Sequence, residues 1–323
     1  MKFCLSLALL LGAAPCMAET VAGVVYLQDT SLQERPLSLS IWYPSEEPAS
    51  AEIGGNPVFE GVPAAPGSAF PDEPLPLVVV SHGGLRSASD SGAWLSSSIA
   101  RTGKVVVEVN APRPDNAAVA LEEIWRRPQD IGRAIDRVTG DETWGSRVEE
   151  NDVSVIGIAL GATAALSVGG AELDTARYLR SCTANTATEG PDCGWYAAQG
   201  VDLSQSSQEG FEGLAQDPRV ASVVALKPEY ATALSATSAE VDTLRISLGN
   251  ADGASAGDQT SHVVAIPDAS VFDAFAVCTA AGPDILIEEA GDASLCEGSA
   301  GERRTVHREV RDATLSFLEA VAE

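Results

Sequence analysis

The sequence predicts one α/β domain, a mostly parallel sheet with helices packed on both faces. Three observations carry that reading. Continuous apolar runs at residues 77–80, 105–109, 153–156 and 220–226 have the composition of strands buried on both faces. Helix-length segments separate most of these runs. Such alternation closes as parallel strands joined by right-handed crossovers, with ligands bound beyond the carboxyl ends of the strands. The 323 residues are 45% hydrophobic and 20% charged, which favours a packed core over disorder at a length one α/β domain can reach.

Residues 1–18 read as a cleaved secretory signal. Lys2 is the charged start, residues 5–14 are the apolar stretch, and Cys16-Met17-Ala18 is the cleavage site before Glu19. The stretch is too short to span a bilayer, and Pro15 before Cys16 argues against a lipoprotein. Residues 19–323 are then a single exported domain, periplasmic or secreted, with no membrane span. Residues 21–43 hold two strand-like runs, the second partly alternating through Leu37, Leu39, Ile41 and Trp42. Residues 44–74, rich in Pro, Ala, Gly and Glu, read as a loop. Strand 77–80, helix 91–102 and strand 105–109 follow. A helix over 128–139 is marked by Ile131, Ala134, Ile135 and Val138 at helical spacing. Strand 153–156 ends at Gly157, and an Ala-rich helix runs to Gly169-Gly170. Residues 171–217 carry two cysteines and no strong period, and read as an insertion or lid. Strands at 220–226 and 244–248 precede a closing amphipathic helix through Val306, Val310, Ala313, Phe317 and Val321.

Asp and Glu number 46 against 20 Lys and Arg, a net charge of -26. That excess repels phosphate backbones and anionic lipid, so it argues against nucleic-acid and membrane-surface partners. Two of the six cysteines, Cys4 and Cys16, leave with the signal. Cys182, Cys193, Cys278 and Cys296 form an even set in an oxidising compartment, and proximity favours Cys182–Cys193 and Cys278–Cys296 as disulfides. Neither pair has metal-ligand spacing. Asn250, Asp252 and Asp258 do not match a calcium loop. No metal and no cofactor is expected. Trp125, Trp144 and Trp195 read as packing residues.

The chemistry centres on Gly157-Ile158-Ala159-Leu160-Gly161. It has the strand–turn–helix frame of a nucleophile elbow, G-x-S-x-G, in which two glycines let a sharp turn present one side chain above the sheet. Here that side chain is Ala159, and a methyl group cannot attack a carbonyl.

Around this frame the chain resembles the α/β-hydrolase-fold serine hydrolases of the dienelactone-hydrolase-like and platelet-activating-factor-acetylhydrolase-like group. Pro36-Leu37 through Ile41-Trp42-Tyr43-Pro44 resembles the family's early strand, and Val80-Ser81-His82-Gly83-Gly84 its oxyanion loop. Trp125-Arg126-Arg127-Pro128-Gln129-Asp130 resembles a family helix start. Asp217-Pro218-Arg219-Val220, then Cys278-Thr279-Ala280-Ala281-Gly282, and finally Cys296 with Arg304-Thr305-Val306-His307, complete the ordered set. The resemblance implies a Ser–Asp–His triad. Ala159 stands at the nucleophile position, and Asp252 is the retained acid candidate. An ungapped match puts Val271 at the histidine position, whereas a gapped match deletes that segment. Among the three histidines, His82 belongs to the oxyanion loop and His307 matches a non-catalytic family residue. His262, on what reads as a loop or helix start, is the remaining candidate base.

The backbone N–H groups of Leu160 and Gly84 would be the oxyanion donors, and they do not depend on the lost side chains. The alternative is that Gly83, Gly84, Gly157 and Gly161 are there because the turns need glycine. Ser154, Ser167 and Ser81 read as buried or facing elsewhere, so none replaces the nucleophile. Triad members act as a unit. Losing the nucleophile costs on the order of 10⁶ in turnover in a serine protease, and oxyanion binding alone leaves roughly 10³–10⁴ over water. The expectation is a pseudoenzyme that binds a small acyl or carboxylate ligand. The alternatives are an ester hydrolase with a non-standard base or nucleophile, such as His262 activating water, and a paralogue without present chemistry.

Overall fold

The structure, a computed structural model, describes residues 20–85, 87–182, 192–249, 261–290 and 293–322. Its strands are β1 (Ala22–Asp29), β2 (Leu37–Pro44), β3 (Ala51–Ile53), β4 (Val62–Pro66), β5 (Leu75–Ser81), β6 (Val105–Asn110), β7 (Val148–Ile158), β8 (Val220–Leu226), β9 (Asp242–Leu248) and β10 (Ser261–Ile266). They form one ten-stranded sheet in the order β10-β9-β8-β7-β5-β6-β2-β1-β4-β3. From β6 to β10 every pairing is parallel, while β2 runs antiparallel to both β1 and β6.

Nine helices are described: α1 (Ala93–Ala100), α2 (Ala117–Ala120), α3 (Glu123–Thr139), α4 (Leu160–Val168), α5 (Thr175–Tyr178), α6 (Cys193–Ala198), α7 (Gln208–Glu212), α8 (Gly282–Ala290) and α9 (Ala300–Ala320). Side-chain alternation along the central strands splits the core into two layers, because successive residues of a strand face opposite sides. Leu77 and Val79 pack with Ile131 and Ile135 of α3 and Ala162 and Ala165 of α4. Val78 and Val80 pack with Leu95 and Ile99 of α1 and Val306, Val310 and Phe317 of α9. The architecture is the α/β one expected from the sequence.

Three local expectations are corrected. Residues 44–74 are not all loop, since β3 and β4 extend the sheet beyond β1 and bury Ala64 and Ala65. Such short strands carry too little pattern to stand out. β10 and α8 also lie outside the expected elements. β10 sits at the sheet edge, where His262, Val263 and Ala265 are exposed and the apolar run is broken. The helix expected over 128–139 begins at Glu123 and keeps Pro128 inside it.

A buried ion cluster explains that early start. Glu123, Arg127 and Asp130 share one face of α3, at spacings of four and seven residues. The Arg35 guanidinium contacts Glu123 at 2.7 Å and Asp130 at 2.7 Å, and Arg127 Nε donates to Glu123 at 3.0 Å. Arg35, Glu123 and Asp130 are 4%, 1% and 2% exposed, so none can fall back on water. Burial pushes the Glu123 carboxyl up, but Arg127 and Arg35 outweigh it and hold the group below the usual carboxylate range. At Asp130 burial prevails over Arg35, and its carboxyl lies above that range.

Cys182–Cys193 and Cys278–Cys296 are disulfides, as proximity in the sequence predicts. Among the described residues no helix is long and apolar enough to cross a membrane.

Removing one partner of a buried ion pair strands the other. Arg35→Met is therefore expected to lower unfolding free energy by about 3–5 kcal/mol. The urea midpoint would fall accordingly, and a midpoint unchanged from wild type would contradict this role for the cluster.

Candidate functional site

β7 ends at Ile158 and α4 begins at Leu160, so Ala159 alone makes the turn. Its backbone sits at φ 53° and ψ -118°, a conformation L-residues rarely adopt. A Cβ on Gly157 would lie 2.2 Å from the Gly161 carbonyl oxygen, and one on Gly161 would lie 1.9 Å from that of Ser81. Close backbone approach thus requires both glycines whether or not any chemistry takes place. Gly83 is under the same constraint, since its Cβ would meet the Ile158 carbonyl oxygen at 2.2 Å and the Ala159 methyl at 2.6 Å.

The loop after β5 is tied to α3 by Arg127, which donates to the carbonyl oxygens of His82 at 2.8 Å and Gly84 at 3.0 Å. Gly84 has φ 90°, and a side chain there would press on Ser87 and Phe275. Phe275 closes the segment that begins with the 3₁₀ turn Val271–Ala274. That segment is pinned by Trp94 Nε1, which donates to the Ala274 carbonyl, and by His307 Nε2, 2.9 Å from the Phe275 carbonyl oxygen. The His307 ring stacks on Trp94 with centroids 3.8 Å apart, and burial pushes its pKa down to about 4. His307 therefore works as a neutral clamp. Ala159 belongs to the apolar cluster between the sheet and α1 and α9, and Val271 packs against the same cluster. Asp252 lies outside the described residues.

The Glu229 carboxyl is buried close to the donor expected at Leu160. Glu229 follows β8 in a turn whose Lys227 and Tyr230 both have positive φ, 47° and 53°. That turn is bound to the elbow through its backbone. The Glu229 N–H donates to the Ala159 carbonyl, and the Thr163 hydroxyl donates to the Glu229 carbonyl at 2.6 Å. Burial pushes the Glu229 carboxyl up to about 8. The Asp192 charge adds to the rise, while Arg127 and the Leu160 N–H oppose it. Glu229 is only 5% exposed, and its Oε2 has no hydrogen-bond partner.

Residues 171–182 and 192–217 cover this corner. Tyr178, Tyr196 and Leu203 join Leu85, Trp125, Leu160 and Tyr230 in a third apolar cluster. The Tyr178 ring meets Tyr230 edge-on at 4.9 Å, and Phe211 packs edge-on against Trp125 at 5.2 Å. Ala159 is left 1% exposed and Leu160 5%. The cleft beside the loop after β5, lined by His82, Gly84, Ser87 and Arg127 among others, has only about 20 Å³ of room and does not reach Ala159.

His82 sits in a separate polar network behind the loop. The Ser91 hydroxyl is 2.9 Å from His82 Nδ1, and His82 Nε2 is 3.0 Å from Asn110 Oδ1. Burial pushes the imidazole down to about 4, with Arg127 contributing, so the ring is neutral. The Ser91 hydroxyl then donates to Nδ1, and Nε2–H donates to the Asn110 carbonyl oxygen. Glu108, wholly buried in β6, accepts from the Gly92 N–H at 2.7 Å, and burial together with Asp90 pushes its carboxyl up to about 8.

His262 is corrected. It is the second residue of β10, paired with Leu244 near the start of β9, not part of a loop or helix. Because β7 to β10 are parallel, that places it toward the amino end of the strands, away from the elbow. Glu229 was missed by sequence reading. Its signal was position, three residues beyond a buried strand at the carboxyl edge of the sheet.

No family model matches the chain, and no curated protein matches it. Among solved structures, the chain is similar to a ferulic acid esterase from Streptomyces cinnamoneus, with a TM-score of 0.54 and 16% identity over 96% of this chain and 92% of that one. The likeness shows the fold, an α/β-hydrolase type.

A carboxyl whose pKa is raised on folding keeps a proton that the unfolded chain releases. Its contribution is fully present below pH ~4.5 and is lost as pH rises through about 8. Glu108→Gln is therefore expected to flatten the fall in unfolding free energy between pH 5 and 8.5 by an amount on the order of a few kcal/mol. Parallel denaturant curves for variant and wild type across that range would refute this origin of the slope.

Proposed function

We propose that this chain is an exported, catalytically degenerate relative of the dienelactone-hydrolase-like and platelet-activating-factor-acetylhydrolase-like serine hydrolases. It binds a small acyl or carboxylate ligand at the elbow without forming an acyl-enzyme. One observation carries the reading. The strained backbone at position 159 is kept with a methyl at its tip, and Val271 adds an isopropyl group to the same apolar cluster. A turn held at this conformational cost without a nucleophile still serves to hold the Leu160 amide and the Gly84 loop in place. The two disulfides accord with export into an oxidising compartment. The fold likeness to a ferulic acid esterase makes ferulic acid and its esters the first compounds to screen.

A second reading has one observation in its favour. Ser91, His82 and Asn110 stand in the order hydroxyl, imidazole, orienting amide, at 2.9 and 3.0 Å. Against it, the ring is held near pKa 4 and is a feeble base at neutral pH, and Ser91 is only 8% exposed.

Turnover of short-chain p-nitrophenyl esters, with fluorophosphonate labelling read by intact mass, separates the two. The expected result is neither turnover nor adduct. A stoichiometric adduct mapped to Ser91 would favour the second reading. Ala159→Ser combined with Val271→His is expected to recover a fluorophosphonate adduct at position 159. Its absence in a folded variant would mean that the histidine segment is deleted or the pocket closed.

A further inference from the structure

We propose that the groove between α3 and residues 213–219 is a second ligand site, and that it takes a short uncharged peptide held by its backbone amides. The groove lies at the Val168 end of α4, and the elbow lies at the other end of that helix. The proposal therefore stands whether or not the elbow binds an acyl compound. The groove has about 390 Å³ of room, within the range of small-molecule sites, against about 20 Å³ in the cleft beside the loop after β5.

Two glycines keep the groove open without a steric need for glycine. Gly132 lies inside the 17-residue helix α3, where glycine weakens a helix relative to alanine. Outside its own helix, a Cβ there would meet only Asp217 Oδ2, at an ordinary contact distance of 3.7 Å. On the facing wall Gly213 closes α7 at φ -85°, and its Cβ would come no closer than 3.4 Å, to Gln129 Nε2. Neither position has the left-handed backbone or the clash that demands glycine. Gly210, three residues before Gly213, is the contrast, since its Cβ would strike the Trp125 ring at 2.3 Å.

The lining selects the ligand. Pro128 and Val168 form a buried apolar floor, and Ala215 and Pro218 are exposed at the rim. No aromatic residue lines the groove, so a sugar or nucleobase has no ring to stack on. The charged groups are committed to one another. Arg219 donates to the two Asp217 oxygens at 2.9 and 2.6 Å and to Asp136 at 2.6 Å. One arginine between two carboxylates leaves an excess of negative charge, which opposes a carboxylate or phosphate ligand. Gln129 and Gln216 differ, because neither amide has a hydrogen-bond partner among the described residues. Each offers an N–H₂ donor and a carbonyl acceptor, which a peptide group answers with its own C=O and N–H. Small apolar side chains of such a peptide match the floor.

The test uses acetyl-Ala-Ala-Ala-amide, titrated into the disulfide-bonded protein and followed by calorimetry and by the side-chain amide signals of Gln129 and Gln216 in proton–nitrogen correlation spectra. Both signals are expected to shift to saturation. The analogue with an ester in place of the central amide, which lacks one N–H, is expected to bind about fivefold more weakly. The peptide ending in a free carboxylate is expected to bind more weakly as well. Either analogue binding as tightly as the capped peptide would overturn the proposal, as would no shift of either signal at about 10 mM peptide. Gly132→Leu, which fills the groove, is expected to abolish binding, and undiminished binding by the folded variant contradicts the site. Gly132→Ala is expected to raise the urea midpoint. A lower midpoint would show that glycine is structural there and would overturn the argument from the two glycines. Where Gly132→Leu does not fold, Gln129→Ala and Gln216→Ala decide, both being at exposed positions. Each is expected to weaken binding about fivefold with the midpoint unlowered, and unchanged affinity in both overturns the proposal.

Discussion

The Arg35 guanidinium, closed between Glu123 and Asp130, is the interaction on which the rest of the site depends. It joins the turn between β1 and β2 to α3, and α3 in turn presents Arg127 to the loop after β5. Through two carbonyl contacts Arg127 fixes the path of His82 and Gly84, and that loop rests against the elbow so tightly that Gly83 has no room for a side chain. A cluster of three arginines and three carboxylates is costly to bury, and its charges are tolerated only because each is met by opposite charge and hydrogen bonds. Its return is geometric: it sets the position of backbone groups at the carboxyl edge of the sheet, where apolar packing alone would leave the loop free to shift.

At that edge the molecule keeps the form of a hydrolase elbow with different contents. Ala159, Lys227 and Tyr230 are all non-glycine residues with positive φ, and they meet where the β7 and β8 turns touch. Strain of this kind persists when surrounding contacts over-determine it. Here those contacts are the hydrogen bonds between Glu229, Ala159 and Thr163, together with the tyrosine-lined cover of residues 171–182 and 192–217. The result is a closed corner that buries the Glu229 carboxyl beside the start of α4. The residue at the tip of the turn carries only a methyl group, which cannot attack a carbonyl.

Elements with a strong local pattern were legible in the sequence. The strands β5 to β8, with their continuous apolar runs, and α9, with its helical spacing, stand where the periodicity puts them. Both disulfides pair the cysteines nearest in sequence. β3, β4 and β10 were not legible, because strands of three to six residues with broken or exposed patterns do not rise above loop composition. The start of α3 was missed because Pro128 argues locally against a helix, and the force that overrides it comes from Arg35, 95 residues from Asp130.

The sequence by itself determined the fold class, the glycine frame of the elbow and the absence of a serine at its centre, since each is a matter of local order or of a single residue's identity. Only the tertiary structure decided that the Glu229 turn is bonded to the elbow, that Arg127 binds the loop after β5, and that His262 lies toward the other end of the sheet. Each of those facts depends on which distant residues the strand order brings side by side, and on how little water reaches them once it has. Neither proximity nor burial is written in any short stretch of the chain.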